Sequence, residues 1–173
     1  MTHTTIRLAT ALLFATSFAT AFAAEPTSKQ FVKDAVESNL AEIQASQLAV
    51  SKSANPEIKS FAQRMIDDHS RVNTELQQLA EQKGIKIPNS PDLTHQAALK
   101  TMQARSGTDF DKSYIEQINK DHEKAIEPFQ AAANSPQVST DLKKLADQTL
   151  STLHQHEHSA MQLASGEAAA NKR

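Results

Sequence analysis

Glycine occurs at only three positions, Gly84, Gly107 and Gly166, and the stretches around them are dominated by Ala, Leu, Gln, Glu and Lys. Those residues are helix formers. No stretch alternates apolar and β-branched residues with polar ones as a strand would. The chain is therefore expected to be all-α, built from a few long helices.

Helix signals divide it into four long segments. The first runs from Thr27 or Ser28 to Lys52. The second opens at Asn55-Pro56, an N-cap followed by proline at the first helical position, and stops at Gly84. The third opens after Gly107 with Thr108 as N-cap and Asp111 three residues on, a capping-box variant, and ends near Asn134. Pro128 inside it should kink or end the regular helix near Glu127. The fourth opens around Ser135-Pro136 and ends at Gly166, leaving 167–173 as a flexible tail. Tight connections make segments one and two, and three and four, antiparallel hairpins. Between Gly84 and Gly107 lies a linker with Pro88 and Pro91 and room for a short helix within 91–104. It is long enough to run back along segment two, which spans roughly 40 Å at 1.5 Å per residue. That is the long crossover, between helices 2 and 3, of a ferritin-like four-helix bundle.

The N-terminus reads differently. A weakly basic Met1 to Arg7 precedes an apolar run, Leu8 to Phe22, and Ala21-Phe22-Ala23 offers an A-x-A cleavage site. This is the layout of a secretory signal peptide, 1–23, with a buried N-terminal helix as the rival reading. The bundle domain then spans 24–166. With no further long apolar run, no transmembrane segment is expected after cleavage. There is no cysteine, hence no disulfide, thiolate ligand or lipid-bearing residue at the cleavage site. Export without cysteine suits a bacterial periplasm, with peripheral envelope association left open. A formal charge of −2, one tyrosine and no tryptophan provide neither the electrostatic footprint nor the stacking platforms for nucleic acid.

Helical wheels at about 100° per residue place polar residues on the apolar faces. Glu42 falls among Val36, Leu40, Ile43 and Ala49 on segment one. His69 falls among Met65, Val72 and Leu76, with Asp68 at the edge and Asp67 pointing away. His122 falls among Ile115, Ile118, Ala125 and Ile126, with Asp121 at the edge. His156 falls among Leu153, Ala160 and Leu163, whereas His154 and His158 point outwards. Asp68-His69 and Asp121-His122 sit at matching offsets, and all four central residues lie near mid-helix, so they should share one layer. A buried carboxylate is costly unless paired or metal-bound. Three imidazoles can pair with it as cations or bind a metal as neutral ligands. Imidazole with carboxylate suits Fe, Zn, Cu, Mn or Ni. Asp68 and Asp121 can ligate directly or orient histidines. The plainer reading is a set of core polar residues satisfied by neighbours or water. There is no Gly-rich phosphate loop, nucleophile elbow or H-E-x-x-H, so nothing specifies an enzyme.

The stretch Phe61-Ala62-Gln63-Arg64-Met65-Ile66-Asp67-Asp68-His69, then Phe110-Asp111-Lys112-Ser113-Tyr114-Ile115, then Asp121-His122-Glu123-Lys124-Ala125, resembles the domain-of-unknown-function 4142 family. The resemblance runs from Phe31 to about Leu163. It implies an exported bacterial ferritin-like bundle of unassigned activity, often labelled an outer-membrane protein. Glu42 matches the family's acidic position in its first helix, and His156 its last histidine. Ser151 stands where the family often has proline. The wider ferritin-like group has Glu three residues before its histidines; here Ile66 and Leu153 stand before His69 and His156. That departure favours a mononuclear site or a structural layer over a di-iron oxidase. The reading is a periplasmic bundle with a mid-bundle site of Glu42, His69, His122, His156, Asp68 and Asp121 for a transition-metal ion (Fe, Zn, Cu or Mn). Its alternative is a metal-free envelope-binding or stress-protective protein working through its helical surface.

Overall fold

The computed structural model describes residues 26–170. The expected signal peptide and its cleavage after Ala23 lie outside the described residues. Five helices follow one another, with no strand among the described residues: α1 Ser28–Lys52, α2 Pro56–Gln82, α3 Leu93–Gln103, α4 Gly107–Asn134 and α5 Thr140–Ala170. Four are the expected long segments and α3 is the short linker helix.

Most helix ends follow from local chemistry. Thr27 caps α1 by accepting the Gln30 N–H, and Asn55 caps α2 by accepting those of Glu57 and Ile58. Gly84, at φ 63°, takes the left-handed conformation just past the end of α2. Four details depart from the sequence reading. The N-cap of α4 is Ser106, not Thr108, and Asp111 is buried rather than reaching back to close a capping box. Pro128 does not end α4, which continues to Asn134. Residue 135 caps the end of α4 instead of starting α5: the Ser135 N–H bonds the Ala131 carbonyl, and its hydroxyl accepts the Gln137 N–H and donates to the Pro26 carbonyl. Finally, α5 passes through Gly166 to Ala170, a single glycine costing a helix only about 1 kcal/mol.

Pairings fix the directions. Phe31, at the start of α1, meets Phe129, near the end of α4, edge-on at 5.1 Å, while Ser46 and Tyr114 hydrogen-bond at 3.0 Å further along. So α1 and α4 are antiparallel. Lys83, just past α2, reaches Asp141 at the start of α5, and Phe61 packs near His156, so α2 and α5 are antiparallel too. The three-residue α1–α2 connection makes that pair antiparallel. Hence α2 and α4 run the same way, as the crossover carrying α3 requires, and α3 packs on α1 and α4.

The Lys83–Asp141 contact, 2.6 Å long, holds the Asp141 carboxyl down to about 2, with the Ser139 hydroxyl adding to it. A depressed carboxyl pKa contributes stability above the ordinary Asp value and loses it as pH falls through the folded value. Asp141→Asn should therefore lower the thermal midpoint at neutral pH, with the difference vanishing between about pH 4 and 2. Asp141 is 40% exposed, so the loss should stay within about 1 kcal/mol. Thermal melts of both proteins across that range check it.

The core has two apolar clusters at opposite ends. One joins Phe31 and Val36 to Leu76, Phe129, Leu142 and Leu153. The other joins Ala45 and Ala49 to Ile58, Phe61, Met65, Phe110 and Ile118. Between them lies a layer of buried polar side chains.

Candidate metal centre

Each long helix places one residue in that layer: Glu42 from α1, His69 from α2, His122 from α4 and His156 from α5. Their exposures are 2%, 5%, 0% and 2%. The three imidazole rings stand 5.3 to 5.5 Å apart, centroid to centroid. They offer ligand atoms that all lie within 4.8 Å of one another.

The hydrogen bonds around the rings determine their tautomers. The Nδ1 of His122 lies 3.0 Å from the Ile118 carbonyl, which can only accept, so Nδ1 carries hydrogen. The Nε2 of His156 lies 3.0 Å from the Asp68 carboxylate, so there Nε2 carries hydrogen. The Nδ1 of His69 donates to the Asn39 side-chain oxygen at 2.8 Å. In each ring the outward nitrogen is thus a donor to a fixed acceptor. The nitrogen left over, Nε2 in His122 and Nδ1 in His156, carries the lone pair, while the Nε2 of His69 faces the Glu42 carboxylate.

Those lone pairs converge. His122 Nε2 and His156 Nδ1 are 3.2 Å apart. The Oε2 of Glu42 is 2.9 Å from His69 Nε2 and 3.5 Å from His122 Nδ1. The first pair of atoms is close but out of line for a hydrogen bond, so both remain buried without a partner. Two donor atoms on one ion with bonds of about 2.0–2.2 Å lie roughly 3.0–3.5 Å apart. The His122–His156 separation of 3.2 Å falls in that range, and the Glu42–His69 separation of 2.9 Å is slightly shorter. Without an ion, His122 and His156 can share a hydrogen bond only if one ring takes a second proton.

The electrostatics suit ligation. Burial alone would raise the Glu42 carboxyl, but the imidazoles of His69, His122 and His156 in their protonated forms and the His69 contact outweigh it and carry it down to about 2. Burial holds the His156 imidazole down to about 4, against the pull of Asp68. Near neutral pH the carboxyl is ionised and this ring neutral, the forms that bind metal. Desolvation works against the Asp68 carboxylate, yet His156 and Arg71 keep it below its ordinary value.

The sequence-identified residues divide into three groups. Glu42, His69, His122 and His156 come together. Asp68 touches the group from its rim, through His156 on another helix rather than through its neighbour His69. Asp121 does not join it: both of its oxygens accept from Gln117, it lines a groove between α1 and α4, and burial pushes its carboxyl above the ordinary value. His154 and His158 are exposed, as their wheel positions imply. Two buried participants escaped the wheel. Asn39 orients His69, and Ser46 pairs with Tyr114 beneath the layer. Asn39 stands three residues before Glu42 and three after Val36, a spacing that was there to be read.

The profile of a domain of unknown function, DUF4142, matches residues 14–163, so the chain belongs to that family. Two solved structures share its fold. One is a DUF305 protein of Streptomyces coelicolor, described as secreted, with a TM-score of 0.71 at 10% identity over 82% of this chain and 94% of that one. The other is a DUF305 fragment from Deinococcus radiodurans, with a TM-score of 0.73 at 11% identity over 81% of this chain and 96% of that one. At such identity they establish the helical fold alone. No curated protein matches. Among the described residues, no helix is long and apolar enough to cross a membrane.

Proposed function

We propose that this protein is an exported, periplasmic ferritin-like four-helix bundle that holds one transition-metal ion through Glu42, His69, His122 and His156. The observation that carries the reading is the complementary hydrogen bonding of the three rings. Each imidazole spends its outward N–H on Asn39, the Ile118 carbonyl or Asp68; the inward nitrogens of His122 and His156 face each other at 3.2 Å, and that of His69 lies 2.9 Å from a buried Glu42 oxygen. Metal-ligating histidines are held by outer acceptors of this kind. Asp68 and Asn39 are orienting groups; Asp121 has no part in the ligand set. Three imidazoles and one carboxylate complete a tetrahedral ion's coordination. Binding an ion and clamping four helices around it, rather than turnover, is the function that follows. Fe, Zn, Cu and Mn all suit this donor set. Export rests on the N-terminal leader pattern, and the secreted description of the Streptomyces protein agrees with it.

Calorimetric titration with Zn²⁺, repeated in buffers of different ionisation enthalpy, tests this. One ion should bind per chain with little proton release, because the facing nitrogens of His122 and His156 already carry lone pairs and Glu42 is ionised. Uptake that survives His69→Ala with His122→Ala would overturn it. In the same titration Asp68→Asn and Asn39→Leu should each weaken binding by roughly 10- to 100-fold without abolishing it.

A further inference from the structure

Beside the polar layer, between α1 and α4 and under α3, is a cavity of about 550 Å³. Small-molecule pockets run from roughly 300 to 1,000 Å³ and combine apolar walls with a few convergent polar groups. Phe31, Ala35, Ala98 and Phe129 form apolar wall here. Asp121 supplies the polar group from depth, at 9% exposure. Its partner is the Gln117 amide, whose one nitrogen serves both carboxylate oxygens at 2.8 Å. A neutral amide cannot cancel the charge, and a carboxylate has about four acceptor positions to offer. With Asp121, the lining has four carboxylates, the others being Asp34, Asp92 and Glu127, against Lys120, Lys124 and the His95 imidazole, which is bonded to Asp92 at 2.8 Å.

We propose that this cavity is a binding site for a small amphipathic amine, an apolar chain or ring carrying one protonated nitrogen that pairs with Asp121. The apolar part lies along Phe31 and Phe129, and the ion pair forms at the depth of Asp121, with α3 covering one side of the site. Depth strengthens the pairing, because attraction between charges grows as the local dielectric falls. The site is separate from the proposed metal centre: none of the three clustered histidines lines it.

Isothermal calorimetry with octylamine, octanol and octanoate tests both size and charge on one chain length. Octylamine should bind the purified protein at one site and at least about tenfold more tightly than octanoate, a discrimination of about 1.4 kcal/mol. Asp121→Asn should remove that preference while octanol binding persists. Ala98→Trp, which fills the cavity from α3, should abolish binding of all three while circular dichroism shows the helices intact. Absence of octylamine binding, equal binding of octanoate, or octylamine affinity unchanged in both variants would overturn the proposal.

Discussion

Replacing His122 by alanine should reduce metal affinity by more than about a hundredfold, beyond the 10- to 100-fold typical of losing an outer orienting group. His122 is the least exposed member of the layer and contacts both His156 and Glu42. The substitution removes a ligand and leaves Glu42 with one fewer partner. Truncating a fully buried ring leaves a cavity, a change that costs about 3–5 kcal/mol for a buried aromatic. The metal-free variant should therefore also melt well below the parent. Zinc titration and thermal melts of both proteins read the two effects separately. If the variant is too unstable to purify, His156→Ala serves, since that ring touches Glu42 less directly and should lose metal with a smaller loss of stability.

The opposite stability effect is expected when the carboxylate and its imidazole partner go together. Glu42→Leu with His69→Leu should leave the metal-free protein as stable as the parent, or up to about 4 kcal/mol more stable. Desolvating a carboxylate and an imidazole is expensive, and leucines of similar volume would join the apolar clusters on either side. The same variant should show no rise in melting temperature with added Zn²⁺, whereas the parent should gain about 2.7 kcal/mol at an ion concentration a hundred times its Kd. A layer kept only as architecture would make the variant equally stable but would give a parent with no metal response. The contrast between parent and variant, with and without ion, thus separates a ligand set from a structural feature.

The helix pattern was legible because few residues compete with it. Thr27, Asn55-Pro56 and Gly84 mark their boundaries by chemistry that needs no tertiary context. Ser135-Pro136 misled for a tertiary reason: the serine hydroxyl is committed to the Pro26 carbonyl across the bundle, and the buried Val138 pulls the next residues into a turn before α5 begins. The wheel located Glu42, His69, His122 and His156, since facing one core at mid-helix brings them into one layer. It could not foresee which neighbour orients which ring. The matching offsets of Asp68-His69 and Asp121-His122 suggested equivalent roles. Yet Asp68 lies on α2, which packs against α5 and reaches His156, while Asp121 faces a groove beside α1. Asn39 was missed because a single amide on an apolar face looks the same whether it is idle or holding a histidine.

The most direct test of the central proposal is elemental analysis of the protein isolated without an affinity tag from cells that make it, beside a His69→Ala, His122→Ala double variant of retained helicity. About one equivalent of a single transition metal in the parent and none in the variant is the expected result. Metal-free parent protein that also takes up no Fe, Zn, Cu or Mn under anaerobic loading would contradict it and leave the polar layer a purely structural device.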